Sequence, residues 1–174
     1  MNIQEFNIAS NSKNDIEAWL SNLSDNTFEL NWIKYASIEA FWQSLKFEKN
    51  SKEWKECINL SWAKSKIFWN KINWENTFIY EWIEYLVWSE KHQQLMKIAL
   101  KNQFEQNPKK LKLLLSTWNS NLIHKPMKSD WSYYPDSITI PWDMFWKFLM
   151  ELRLYFSSIE KNVDLHQNKV KNIL

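Results

Sequence analysis

Glu39, Gln43 and Lys46 recur at i, i+4 and i+7 within the stretch Ser37–Phe47. On a helix that spacing lays a carboxylate, an amide and an amine in one polar row. A carboxylate so placed can stabilise a positive charge that develops beside it or activate a water. An amide and an ammonium can orient it or hold a ligand oxygen. An acid in a first turn is also favoured simply because it complements the helix dipole, and spacing alone leaves both readings open. Other chemistries find less support. Three histidines (His92, His124, His166) and the single Cys57 make no zinc constellation. No G-x-G-x-x-G or G-x-x-x-x-G-K-[ST] spacing appears. One cysteine excludes an internal disulfide and suits a reducing cytoplasm.

The elements that must position this row follow from periodicity. Ser37 is an N-cap, and Ile38, Phe41, Trp42 and Leu45 recur at helical spacing, so a helix is expected over 38–47 with its apolar stripe beside the polar row. Phe28–Leu30 and Ile33–Tyr35 read as a hairpin within 27–36. Short helices are expected over 51–60 and 63–69, while 72–88 is ambiguous, with 78–80 and 85–87 as a candidate strand pair around Trp82. Longer helices are expected over 90–104, over 108–117 with Pro108 in its first turn, and over 141–159 with a stripe of Phe145, Phe148, Leu149, Leu152 and Phe156. Leu122-Ile123-His124 reads as a short strand and 125–138 as a loop. Residues 1–26 look mixed and polar. The fold class is therefore mainly α with a few short β-strands, in one domain over 1–160, followed by a polar tail or extra helix over 161–174.

Composition poses a separate question. The chain has no glycine and 13 tryptophans. Ordinary usage would give about 12 glycines, and drawing none has a chance on the order of one in 10⁵. Many of the tryptophans stand where a backbone wants glycine. Asn31-Trp32 sits at a hairpin turn, where Asn-Gly is favoured, and Trp118 follows the leucine-rich helix as a C′ residue would. Trp62, Trp69, Trp82, Trp88, Trp131, Trp142 and Trp146 have similar contexts, whereas Trp19, Trp42, Trp54 and Trp74 suit an aromatic ring. By turn chemistry about nine of the 13 are expected to be glycines in the living cell, the alternative being 13 genuine tryptophans that form an aromatic-rich binding surface. A UGA codon read there as glycine and rendered here as tryptophan would produce this pattern.

With those glycines restored, several segments in order resemble the YbiA-like, or NADAR, family of N-glycosidases. They are Trp19-Leu20-Ser21-Asn22, the hairpin Phe28–Tyr35, and Ser37-Ile38-Glu39-Ala40-Phe41-Trp42-Gln43-Ser44-Leu45-Lys46. Leu95-Met96 through Asn107-Pro108, Leu113–Trp118 and Phe145–Arg153 follow. Trp32, Trp118 and Trp146 fall on the family's glycines. The resemblance implies hydrolysis of a bond between ribose C1 and a nitrogen, with no metal or redox cofactor. It puts the essential acid at Glu39, with Gln43 and Lys46 as its companions and substrate contacts. A second acid is implied at Asp130, with Asp136 as rival because the usual tryptophan–glycine pair after it is missing. Asn22 becomes a ribose or phosphate contact. Trp74 becomes a stacking platform, a role that core packing would explain equally well. Arg153 matches a family arginine.

The expected substrate is a phosphorylated ribosylamino-pyrimidine of the riboflavin pathway. The alternatives are an ADP-ribosyl glycohydrolase acting on ADP-ribosylated guanine in nucleic acid, as an antitoxin would, or a non-catalytic ADP-ribose-binding module. A net charge of +2 does not favour long nucleic acid as the partner. No stretch has the apolar length of a membrane span, and the N-terminus lacks the pattern of a signal peptide, so the expected location is the cytoplasm.

Overall fold

The structure, a computed structural model, describes residues 4–9, 12–21, 24–60, 64, 76–123 and 143–171, with side chains in the last segment from 144 to 160. Strand β1 (Glu5–Asn7) and helix α1 (Asp15–Leu20) precede the hairpin of β2 (Phe28–Leu30) and β3 (Ile33–Tyr35). Helices α2 (Ile38–Ser44) and α3 (Lys52–Cys57) follow, then a second hairpin of β4 (Thr77–Tyr80) and β5 (Ile83–Leu86). Helix α4 (Glu90–Gln106), α5 (Pro108–Ser116), strand β6 (Asn121–Ile123) and α6 (Asp143–Lys171) complete the order.

Helices α1 to α4 each start at a side-chain cap. Ser37, Ser51 and Ser89 each accept a hydrogen bond at Oγ from the backbone N–H three residues on, and Asn14 accepts one from Ile16 N–H. Helix α2 ends earlier than periodicity suggests. It stops at Ser44 and closes with a tight turn, Lys46 N–H to Gln43 O at 3.1 Å, so Lys46 lies past the helix rather than on it. Such i→i−3 closures satisfy end carbonyls that have no helical partner.

Both hairpins turn in the same way. Asn31 and Trp32 have φ of 51° and 64°, and Glu81 and Trp82 have 48° and 66°. Two central residues with positive φ between paired antiparallel strands are the mark of a type I′ turn. In contrast to the hairpins, β1 and β6 pair in parallel, Phe6 opposite Leu122, joining the first strand to the one that follows α5. That pairing and α1 both fall on or against the segment that reads as merely polar. The last helix runs unbroken through 161–171. The helix expected over 63–69, apart from Lys64, and the loop expected over 125–138 lie outside the described residues.

Packing joins these pieces through one core. Tyr35 stacks on Phe28 at 5.5 Å and meets Phe41 edge-on at 5.1 Å, which fastens the first hairpin to α2. Ile38 and Phe41 of α2, Ala99, Leu100 and Phe104 of α4, Leu114 of α5 and Leu149 of α6 are all buried in the same cluster. Each large side chain of this kind contributes about 1.5–3 kcal/mol by leaving water. The stripe expected on α6, Phe145 to Phe156, is buried as its spacing requires.

Candidate functional site

The polar row begins inside the protein. Glu39 is 5 % exposed and Gln43 7 %. One turn of α2 separates them, and Gln43 Nε2 donates to Glu39 Oε1 at 2.8 Å. A carboxylate withdrawn from water needs such donors to remain charged. The other end of the amide is open: Gln43 Oε1 is buried and accepts no hydrogen bond from the described residues. Lys46 is partly buried at the turn beyond. Burial lowers its amine below the usual lysine range, and the Glu39 charge opposes that shift. Cys57 shares this neighbourhood but is no nucleophile. Its Sγ–H donates to the Ala40 carbonyl at 3.3 Å, and burial, then the Glu39 charge, pushes the thiol far above its ordinary range.

Glu39 also borders a narrow cleft between α2, the start of α4 and the start of α6. Its walls are Ile38, Trp42, Trp88, His92, Gln93, Met96, Met144, Phe145 and Phe148, almost all apolar. Trp42 and His92 stack face to face, 4.3 Å apart and 11° from parallel, and Phe78 meets the imidazole edge-on at 4.7 Å. His92 holds the entry to α4. Its N–H donates to Ser89 Oγ at 3.2 Å, while its Nδ1 accepts from Trp88 N–H at 3.1 Å. Burial pulls its pKa down to about 4, so at neutral pH the ring is uncharged and its proton resides on Nε2. A buried carboxylate at the edge of an aromatic cleft is equipped to face positive charge.

Of the residues singled out in the sequence, Glu39 and Gln43 come together, and Lys46 is brought near by the turn. Asn22, Trp74, Asp130 and Asp136 lie outside the described residues. Arg153 takes a structural place: Nη1 donates to Thr117 Oγ1 at 2.8 Å and to Ser120 O at 2.9 Å, tying α6 to the end of α5. The Trp42–His92 stack was not foreseen. Its one sequence signal is Ser89-x-x-His92, a variant of the capping box in which the N3 side chain reaches back to a backbone N–H.

The suspected glycine positions divide sharply. Trp32, Trp82, Trp88 and Trp118 all have positive φ, between 46° and 66°. Trp19, Trp42 and Trp54 are helical, as expected of true tryptophans. Trp146 departs from the expectation: it is buried in the regular helix α6, where the backbone makes no demand for glycine. Trp62, Trp69, Trp131 and Trp142 lie outside the described residues.

The fold as a whole is similar to the solved NMR structure of the Escherichia coli protein YbiA. The TM-score is 0.64 with 23 % sequence identity, over 92 % of this chain and 89 % of that one. At that identity the likeness establishes a shared YbiA-like architecture. No family model matches the sequence, and no curated protein does. Among the described residues no helix is long and apolar enough to cross a membrane.

Proposed function

We propose that this chain is an N-glycosidase that hydrolyses the C1–N ribosyl bond of a phosphorylated ribosylamino-pyrimidine, a riboflavin-pathway intermediate, as its NADAR resemblance implies. The observation that carries the reading is the Glu39 carboxylate, buried, held at 2.8 Å by Gln43 and bordering an aromatic cleft. As the bond breaks, its electron pair leaves with the nitrogen, which takes up a proton. Positive charge then builds on C1 and the ring oxygen. Glu39 faces that charge, water adds to C1, and the proton the water sheds completes the balance. Gln43 is the proposed contact for a ribose hydroxyl and the Lys46 ammonium for a phosphate. Asp130, with Asp136 as rival, is the proposed second acid. Asn22 is the proposed sugar or phosphate contact and Trp74 a platform for the base. These four roles rest on the resemblance alone. The expected setting is a reducing cytoplasm.

The same proposal takes the protein made in its own cell to carry glycine at the recoded positions. Three backbone motifs support this, each of which ordinarily employs glycine. Trp32 and Trp82 hold the third place of I′ turns. Trp118 is the C′ residue of α5, with its N–H on Leu115 O at 3.1 Å in the manner of a Schellman end. Trp88 is third in the turn closed by Ser89 N–H to Leu86 O. Mass spectrometry of the natively produced protein tests it: the peptide across 28–35 should have glycine at position 32, and a tryptophan there would end the argument.

The activity is tested with glycine-restored protein, incubated with a ribosylamino-pyrimidine phosphate and, separately, with ADP-ribosylated DNA. Release of ribose phosphate is expected, and Glu39→Gln should reduce it about 10²–10³-fold. Turnover of the DNA alone would move the assignment to ADP-ribosyl glycohydrolase. No turnover of either by a folded protein, or full turnover by the Glu39→Gln variant, would defeat the catalytic proposal.

A further inference from the structure

We infer that residue 88 sets the room for the leaving base: with glycine there, the space held by the indole becomes a slot for a planar heteroaromatic ring against Trp42 and His92. The inference rests on the N-glycosidase reading for the class of ligand, and on glycine being the native residue at position 88.

The backbone at 88 is held without help from its side chain. The residue sits at φ 66°, its N–H is bonded to His92 Nδ1, and the turn around it is closed by Ser89 N–H to Leu86 O. Val87, the second residue of that turn, is not among the residues with positive φ. A turn with positive φ only at its third position is of type II, where glycine is the usual occupant. Removing the ring therefore costs the turn nothing and relieves an unfavourable conformation.

The ring itself stands in the cleft mouth. Its centroid is 5.1 Å from Trp42 at 41° and 5.8 Å from His92 at 38°, and the residue is 40 % exposed. An indole is a planar bicycle, as large as a purine and larger than a pyrimidine. The volume it leaves thus accepts either base, with the aromatic edge of Trp42 and the uncharged imidazole as walls. Position matters as much as size. Glu39 and Trp42 are i and i+3 on α2, so their side chains rise side by side, about 5–6 Å apart at Cβ. A base lodged against Trp42 therefore lies in the same cleft as Glu39, one helical turn away, within reach of the carboxylate that the reading needs at its glycosidic carbon.

The test compares two proteins that differ only at position 88. Both carry W32G, W82G, W118G and E39Q, so turns and hydrolysis are equal between them; one retains Trp88 and the other carries W88G. Each is titrated by calorimetry with cytidine 5′-monophosphate and with ribose 5-phosphate, which lacks a base. Thermal melts establish that both are folded, with W88A as a second small-residue variant. The W88G protein should bind cytidine 5′-monophosphate about tenfold tighter than its Trp88 counterpart, while ribose 5-phosphate binds both equally. Adding W42A to W88G should remove about tenfold from the base-bearing ligand alone. Equal or weaker binding of the base-bearing ligand by W88G, or indifference to W42A, overturns the slot. Hydrolysis plays no part in these titrations. Loss of the slot would leave Glu39-dependent turnover standing, and a slot that binds without turnover in the Glu39 protein would sink the enzyme reading instead.

Discussion

Gln43 uses one end of its amide. Nε2 is committed to Glu39, and Oε1 remains buried and available. A side chain that holds the carboxylate in place acts through orientation as well as through contact. Gln43→Ala should therefore lower kcat about tenfold with a smaller change in KM, because the misdirected carboxylate costs most where charge develops. Steady-state kinetics on protein of unchanged circular dichroism reads this, and a pure KM effect would show that Gln43 only binds. The pairing was legible beforehand, since i and i+4 on a helix are neighbours whatever surrounds them. What Trp42 would face was not legible. Its partner His92 lies on another helix, far along the chain, and no local spacing connects the two.

At the scale of the element, four tryptophans among the described residues hold left-handed backbone. For a residue with a Cβ that conformation costs about 1–2 kcal/mol. Trp32 and Trp82 are 95 % and 96 % exposed, so their rings offer almost no packing in return. W32G, W82G and W118G should each raise stability by about 1 kcal/mol, less what glycine gains in the unfolded chain. Trp54 on α3 is the contrast: it is buried and helical. W54G should cost more than about 3 kcal/mol through the cavity and the weaker helix. Urea denaturation of the four variants measures both expectations, and uniform destabilisation would refute the turn argument. The hairpins and caps were readable because each depends on a few adjacent residues. The end of α2 is not readable for a related reason: the apolar stripe continues through Leu45, but the backbone has already tightened into a turn.

For the molecule as a whole, long polar side chains inside the core fasten distant segments together. Lys110 of α5 is fully buried. Its Nζ donates to Gln103 Oε1 at 2.7 Å, to Ser24 Oγ at 3.2 Å and to Ser21 O at 3.5 Å. Gln103 Nε2 in turn donates to Asn26 O at 2.7 Å, so α4 and α5 together hold the segment between α1 and β2. These acceptors are neutral, and burial pulls the Lys110 pKa from 10.5 down to about 7. Between those values the unfolded chain binds a proton that the folded one does not, so stability rises with pH from about 7 to 10.5. The slope can reach about 1.4 kcal/mol per pH unit, the limit for one proton. Melting curves from pH 7 to 9.5 should show the rise, and Lys110→Met should flatten it; an unchanged slope would mean that the amine stays charged inside. His92 acts in a lower window with the same sign, its contribution falling as pH drops from 6.5 towards 4. By itself the sequence determined the helical stripes, the caps, the hairpin turns and, at positions 32, 82, 88 and 118, where the chain bends as glycine bends, because dihedral preference and helical period act over a few neighbours. Only the tertiary structure decided that β1 lies beside β6, that Lys110 is sealed from water, and that Glu39 borders a cleft walled by Trp42 and His92. Those outcomes depend on which distant surfaces come to cover a residue, and adjacent residues do not encode that.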